Sequence, residues 1–404
     1  TMTSNKFGIR IAASALALAV SYGAQAVTDE DIMNDHKTPG DIVSYGMGTQ
    51  GQRFSILEDL NTSNIQYLQP AWAFSFGSEK MRGQESQPLI KDGVMYVTAS
   101  YSRVYAIDAR TGEEIWQYDA RLPDGIMPCC DVVNRGVALY DDKVIFGTLD
   151  AKLVALNKDT GKPMWIKKVA DYQAGYAITA APIVVKGKVI TGVSGGEFGV
   201  RGYIKAYSLD GEGLYTAYST GPDDEMLIDG EKTTSMLKPI GKDSSLKSWQ
   251  GDQWKIGGGT TWGWYSYDKD LDMYYYGSGN PSTWNPVQRP GDNKWTMSLW
   301  GRDLDTGMAK WVYQMTPYDE WDYDGVNEVI LAEQKVKGKM HKTAVHFDRN
   351  GFAYTMDRES GELLVAEKYD PAVNWSRGVN LETGRHDRVA KYSTARNGED
   401  VNTT

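Results

Sequence analysis

The chain has 404 residues, 41% hydrophobic and 24% charged, an ordinary globular composition with ample material for a large core. Its net charge of −10, from 43 Lys and Arg against 53 Asp and Glu, argues against nucleic acid as a partner and suits a basic protein. Forty-three glycines together with 13 Trp and 25 Tyr point to many short strands and tight turns.

At the N-terminus, Lys6 and Arg10 precede an apolar run from Ile11 to Val20, and Ala24-Gln25-Ala26 follows. This is the order of a secretory signal over residues 1–26, cleaved after Ala26, with residues 27–404 exported as one domain. The plain alternative is a frayed N-terminal helix. The run is too short to span a bilayer, and no later stretch approaches twenty apolar residues. Cleavage removes two basic residues and no acids, taking the net charge from −10 to −12.

Next comes a repeat. Ala106 to Trp116 has the form A-x-D-x-x-T-G-x-x-x-W, through Asp108, Thr111 and Gly112. Ala155 to Trp165 repeats it with Asn157 in the Asp place, and Gly301 to Trp311 repeats it through Asp303 and Gly307. Weaker copies lie at Ser208 to Gly211 and Asp357 to Gly361. Strand-like runs such as Val94 to Val97 and Lys143 to Phe146 precede the clearest copies, so each copy is the turn of a β-hairpin. Asp caps the turn, Gly takes the positive φ, and Trp packs on a neighbouring unit. Units of roughly 45–50 residues without helical periodicity predict an all-β fold, a β-propeller of four-stranded antiparallel blades; a β-helix has shorter repeats. The last residues, Asn397 to Thr404, read as mid-domain sequence, so the propeller is expected to be incomplete at its C-terminus.

Cys129 and Cys130 are the only cysteines, and they are adjacent. Such a pair closes almost no loop and adds little entropic stability. An exported protein admits either a vicinal disulfide or two buried thiols.

The stretch from Gly277 to Gly325 ends on Asp319-Glu320-Trp321-Asp322-Tyr323-Asp324-Gly325. In an extended segment Asp322 and Asp324 face the same way and repel unless a cation, a proton or a basic side chain lies between them. A hard, oxygen-seeking cation is the natural occupant, and a solvated acidic turn the plain alternative. Other catalytic patterns are missing: there is no Walker loop, no strand–GxGxxG–helix unit and no EF-hand. His36, His341, His346 and His386 are scattered without a zinc-hydrolase motif.

Taken together, the repeat, Pro128-Cys129-Cys130-Asp131, Ser194-Gly195-Gly196-Glu197, Thr261-Trp262-Gly263-Trp264, Gly279-Asn280-Pro281 and Asp319 to Gly325 resemble the PQQ-dependent (quinoprotein) alcohol dehydrogenases. The resemblance runs in order from about Asp41 to the end. It is nearest to the methanol-oxidising enzymes, eight-bladed propellers that carry pyrroloquinoline quinone (PQQ) and a metal on the axis. The block Trp321-Asp322-Tyr323-Asp324 resembles their lanthanide-dependent branch; the calcium-dependent branch usually has Ala at the second Asp. The family commonly has His where this chain has Tyr318, and its chain continues into further blades.

The resemblance implies metal ligation by Glu197, Asn280, Asp322 and Asp324, the last being the added lanthanide ligand, with calcium as the alternative ion. Asp322 is also implied as catalytic base. Trp262 is implied as the floor under the quinone and a Cys129–Cys130 disulfide as its roof. Glu85, Arg135, Thr179, Ser194 and Thr260 match positions that hold the cofactor's carboxylates and carbonyls. Arg349 matches the arginine beside the reactive oxygens, with Arg358 as its rival. Taken singly, these residues also read as strand hydroxyls, surface ion pairs and turn residues.

The implied activity is periplasmic oxidation of methanol or another short primary alcohol to the aldehyde, by hydride transfer to metal-bound PQQ. Electrons then pass to a c-type cytochrome; neither nucleic acid nor a transmembrane segment is expected, and a homodimer is allowed. Two other readings stand beside it: a non-catalytic propeller scaffold of the outer-membrane assembly type, and a propeller glycosidase working with an unmetallated acid pair.

Overall fold

The computed structural model describes residues 25–77 and 82–394. The apolar run and basic residues of the expected signal, and the segment Asn397 to Thr404, lie outside the described residues.

Among the described residues, five four-stranded antiparallel units follow one another. The first consists of Leu89–Lys91, Val94–Ala99, Arg103–Asp108 and Glu114–Asp119, each strand paired with the next. The others span residues 138–168, 183–218, 266–314 and 330–368. A hairpin, Thr234–Ser235 with Lys238–Pro239, widens the fourth unit by pairing Thr234 in parallel with Trp311. A further hairpin joins Ser376–Val379 to His386–Arg388. Among the described residues, helices are confined to short pieces such as Asp29–Met33 and Asp223–Met226.

Within each unit the strands change character from first to last. Second and third strands such as Lys143–Gly147 and Arg103–Asp108 are almost wholly buried, whereas Glu114–Asp119 buries Trp116 between exposed Ile115 and Gln117. The first strands of neighbouring units touch, Ala138–Tyr140 against Ile183–Val185 and Ser266–Asp268 against Ile330–Val336. First strands therefore converge on a common axis and last strands splay outward, which is the β-propeller arrangement with four-stranded blades. The core lies between blade faces; Tyr275, Trp311, Tyr354 and Trp375 are buried together between the fourth and fifth.

The repeat makes its turns as its residues require. Asp108 accepts the amides of Arg110 and Thr111 at 2.8 and 3.1 Å, and Asn157 accepts those of Asp159 and Thr160 at 3.1 and 3.0 Å. A further copy that the sequence reading did not single out sits at Asn380 to Gly384, where Asn380 accepts from Glu382 and Thr383 at 2.9 and 3.0 Å. The aromatic partners tie unit to unit. Trp116, Trp165 and Trp311 donate their indole N–H to the carbonyls of Lys158, Leu209 and Arg358 in the next turn, at 3.0, 2.8 and 2.9 Å. Tyr215 takes this place in the third unit, donating to Leu304 at 3.0 Å.

Residues 27–53 run across the axis and touch all five units. Val27 bridges Asp141, Ile42 bridges Ile90, and Asp29 accepts from the Lys186 amide at 2.6 Å. Thr49 and Gln50 carbonyls accept from Tyr267 and Leu331 at 2.8 and 2.9 Å. Nothing in the repeat pattern announced this axial strap.

Candidate active site

The loops leaving successive units meet at one cavity of about 240 Å³. Cys129, Cys130 and Arg135 reach it from between the first and second units, and Thr179 from just before the third. Ser194 and Glu197 reach it from the third unit, Trp262 from before the fourth, Asp322 and Asp324 from before the fifth, and Arg349 from a turn within the fifth.

At its centre, carboxylate oxygens of Glu197, Asp322 and Asp324 lie within 4.8 Å of one another, and the sulfurs of Cys129 and Cys130 lie equally close to Glu197. Cys129 and Cys130 are joined in a disulfide, which decides between the two readings of that pair. At such separations two bare carboxylates repel by roughly 4 kcal/mol at an effective dielectric of ~20. Burial raises the Glu197 carboxyl above its ordinary pKa, and the Asp322 charge adds to this. Burial likewise raises Asp322, against the opposing pull of Arg349 and Arg289. Arg349 pairs with Asp324 while remaining 55% exposed.

The carboxylates do not converge for the reason expected. Asp322 and Asp324 are not in an extended segment; both take left-handed conformations, with φ of 61° and 65°. Asp319 organises this loop. Its buried carboxylate accepts from the Trp321 and Tyr323 amides, both at 2.9 Å, and its carbonyl accepts from Arg289 at 2.8 Å. Burial pushes the Asp319 carboxyl up to about 6.

Asn280 is buried, and neither its side-chain oxygen nor its nitrogen has a hydrogen-bond partner; the same holds for Asp322 Oδ1. Both residues line a second cavity of about 480 Å³ beside the first, with Trp284, Arg289 and Trp321. Leaving a buried amide or carboxylate atom unpaired costs about 1–3 kcal/mol, so these atoms fit a missing ligand. A hard cation satisfies such a donor set of carboxylates and one amide.

Arg135 gathers the predicted polar residues. It meets Glu85 at 2.7 Å, donates to the Thr179 hydroxyl at 2.9 Å, and lies 5.0 Å from the Trp262 ring centre. Ser194 faces the cavity while its hydroxyl donates to the Ala177 carbonyl at 3.1 Å. Thr260 is buried behind Gly196 instead of on the cavity wall, its carbonyl accepting from Gly279 at 2.8 Å. Gly263 is glycine because a Cβ there would overlap the Val326 carbonyl, and this close approach seats the Asp324 loop beside Trp262. Trp264 turns the other way and stacks on Tyr45 of the axial strap, with ring centres 3.5 Å apart.

Of the two rival arginines, Arg349 lines the cavity. Arg358 is buried elsewhere, bonded to Asp268 at 2.6 Å and to the carbonyls of Ala332 and Thr343. Sequence reasoning assigned no role to Asp319, Arg289 or Trp284. Asp319 was visible in the acidic run, but its inward turn was not.

Comparison with known proteins supplies the family. The profile described as PQQ, glucose/ethanol/alcohol dehydrogenase, beta-propeller domain, matches residues 43–374. The chain belongs to the PQQ-dependent alcohol dehydrogenase family. Among members of this family it is 51% identical to the lanthanide-dependent methanol dehydrogenase of Methylorubrum extorquens, over 96% of this chain and 66% of the relative. It is 43% identical to methanol dehydrogenase (cytochrome c) subunit 1 of Paracoccus denitrificans, over 95% of this chain and 63% of that one. A solved europium-containing methanol dehydrogenase superposes with a TM-score of 0.85 at 46% identity, covering 90% of this chain and 64% of that one. The chain thus spans about two thirds of the length of these PQQ-family relatives.

Proposed function

We propose that the protein is a lanthanide-dependent quinoprotein that oxidises methanol or another short primary alcohol to its aldehyde. The observation that carries this reading is the convergence of Glu197, Asp322 and Asp324 beside an unpartnered Asn280, in a cavity walled by a disulfide and an indole. Glu197, Asn280, Asp322 and Asp324 would hold the metal, with calcium as the lesser alternative. Trp262 and the disulfide offer flat or polarisable walls to a planar ring. Arg135, Glu85, Thr179 and Ser194 would meet the ring's carboxylates and carbonyls, with Thr260 supporting them from behind, and Arg349 would stand at its reactive edge.

Bound there, pyrroloquinoline quinone with its metal supplies a two-electron acceptor and a Lewis acid that no side chain offers. Asp322 takes the hydroxyl proton of the alcohol, a task suited to a carboxylate with one oxygen free of partners. Burial of the cluster excludes water and keeps the reacting groups in register.

The same reading places the mature domain at residues 27–404, as part of an eight-bladed propeller exported to the periplasm. Among the described residues no helix is long and apolar enough to cross a membrane. A c-type cytochrome would take the electrons, drawn by the acidic surface, and two copies would pair as a homodimer. A scaffold has no need of a buried, unpartnered Asn280. A two-carboxylate hydrolase needs only a pair of acids, whereas here three acids converge beside an unpartnered amide.

The test is the visible absorbance of the full-length protein after loading with PQQ and lanthanum and removal of free cofactor. A retained quinone band that changes on adding methanol is expected. A colourless protein after loading would contradict the reading and favour the scaffold or the hydrolase.

A further inference from the structure

Arg388 lies on the short strand His386–Arg388, outside the cavity and outside every motif of the sequence. Its guanidinium reaches back over the residues leading into Asp322. One terminal nitrogen donates to the Pro317 carbonyl and, at 3.1 Å, to the Tyr318 carbonyl. The other meets the Glu320 carboxylate at 2.7 Å, and the guanidinium carbon lies 4.7 Å from the Trp321 ring centre. Glu320 is buried, and its second oxygen accepts from the Ser393 hydroxyl at 2.6 Å.

Arg289 holds the same loop from another direction through the Asp319 carbonyl, at 2.8 Å. The Tyr318 ring centre is 6.0 Å from the Arg289 guanidinium carbon and 5.9 Å from that of Arg388. Every residue from 317 to 321 is therefore engaged by one of two arginines. The next residues, Asp322 and Asp324, adopt left-handed φ values of 61° and 65°, a conformation that Asp tolerates better than most side chains.

We propose that Arg388 is a positioning residue for the carboxylate cluster. It fixes the 317–321 loop so that Asp322 and Asp324 converge with Glu197 on one cation. The inference rests on the metal-binding reading above. A planar fork that bonds two carbonyls and a carboxylate while stacking on an indole is a task for arginine and not for lysine. The bland alternative is that Arg388 only neutralises the buried Glu320.

Two variants separate these roles, with three readouts on the PQQ-free protein: terbium affinity by indole-sensitised luminescence, hydrogen exchange at the Trp321 and Tyr323 amides, and melting temperature. Arg388→Lys keeps the charge beside Glu320 and loses the fork. It is expected to speed exchange at both amides and weaken terbium binding by about tenfold or more. The pair Glu320→Gln with Arg388→Met removes the buried charges together. It is expected to regain melting temperature relative to Arg388→Met alone without regaining terbium affinity. Parent-like exchange and affinity in Arg388→Lys would overturn the proposal, as would affinity that returns with melting temperature in the double variant. If the parent itself binds no terbium, the metal reading fails; exchange at Trp321 and Tyr323 then decides whether Arg388 holds the loop.

Discussion

The indole of Trp116 packs against Gly161 of the following unit and donates to the Lys158 carbonyl at 3.0 Å. Trp165 and Gly211, and Trp311 and Gly361, repeat the arrangement. Gly161 has φ of +69°, and a Cβ there would lie 2.5 Å from the indole. Gly161→Ala therefore combines backbone strain with overpacking and is expected to cost about 2–4 kcal/mol in urea unfolding. Gly93→Ala is the control, since Gly93 has φ of +80° with open space around it. It should cost only about 1 kcal/mol. Equal losses in the two variants would show that the indole contact contributes nothing.

His386 carries a pH signature of the fold. It bonds the Tyr354 hydroxyl and the Ser376 hydroxyl, both at 2.8 Å, and burial with Arg388 nearby pushes its pKa down to about 3. The unfolded chain takes up a proton here below about pH 6.5, and the fold does not, so stability present above that pH is lost on acidification. Between pH 6.5 and 5 this group should remove about 1.6 kcal/mol. The stability difference between parent and His386→Gln should shrink by that amount over the same range. A difference that stays constant would show that His386 titrates freely in the fold.

The sequence carried the blades more plainly than the site. Turn chemistry at Asp108, Asn157 and Asp303 is local, so spacing alone reveals it, and the Trp of each of these three copies bonds to the next turn. The axial strap was not legible, because its contacts join Val27, Ile42 and Thr49 to residues far along the chain. Alternation along a strand does not explain why Asp322 and Asp324 are neighbours, since Asp319 builds a loop there. Choosing Arg349 over Arg358 required the fold, because only burial and the Asp268 partner distinguish them. Arg388 acts across a distance in sequence that no local pattern encodes.

Asp322→Asn in the full-length enzyme should abolish alcohol oxidation while leaving the protein folded. The substitution preserves shape and one acceptor oxygen but removes the proton acceptor and a ligand charge. Melting temperature and turnover of the reconstituted protein are to be compared. Turnover near the parent rate, with cofactor and metal bound, would contradict the assignment of Asp322 as the base.

Asp324→Ala tests why a third carboxylate is present. The parent cluster offers three negative charges and one neutral amide, a set that a trivalent ion balances better than a divalent one. Arg349 now pairs with Asp324 and is 55% exposed, so losing that pair should cost the fold little. Terbium affinity is expected to fall by at least about tenfold, and calcium affinity by less. An unchanged terbium-to-calcium ratio would make Asp324 an ordinary turn carboxylate.

Methanol-dependent reduction of a dye acceptor tests the central claim most directly, measured on the full-length protein stripped of metal and reloaded with PQQ and either lanthanum or calcium. Turnover with lanthanum, and little or none with calcium, is the predicted result. Equal rates with the two ions, or no turnover with either despite a bound quinone, would contradict it.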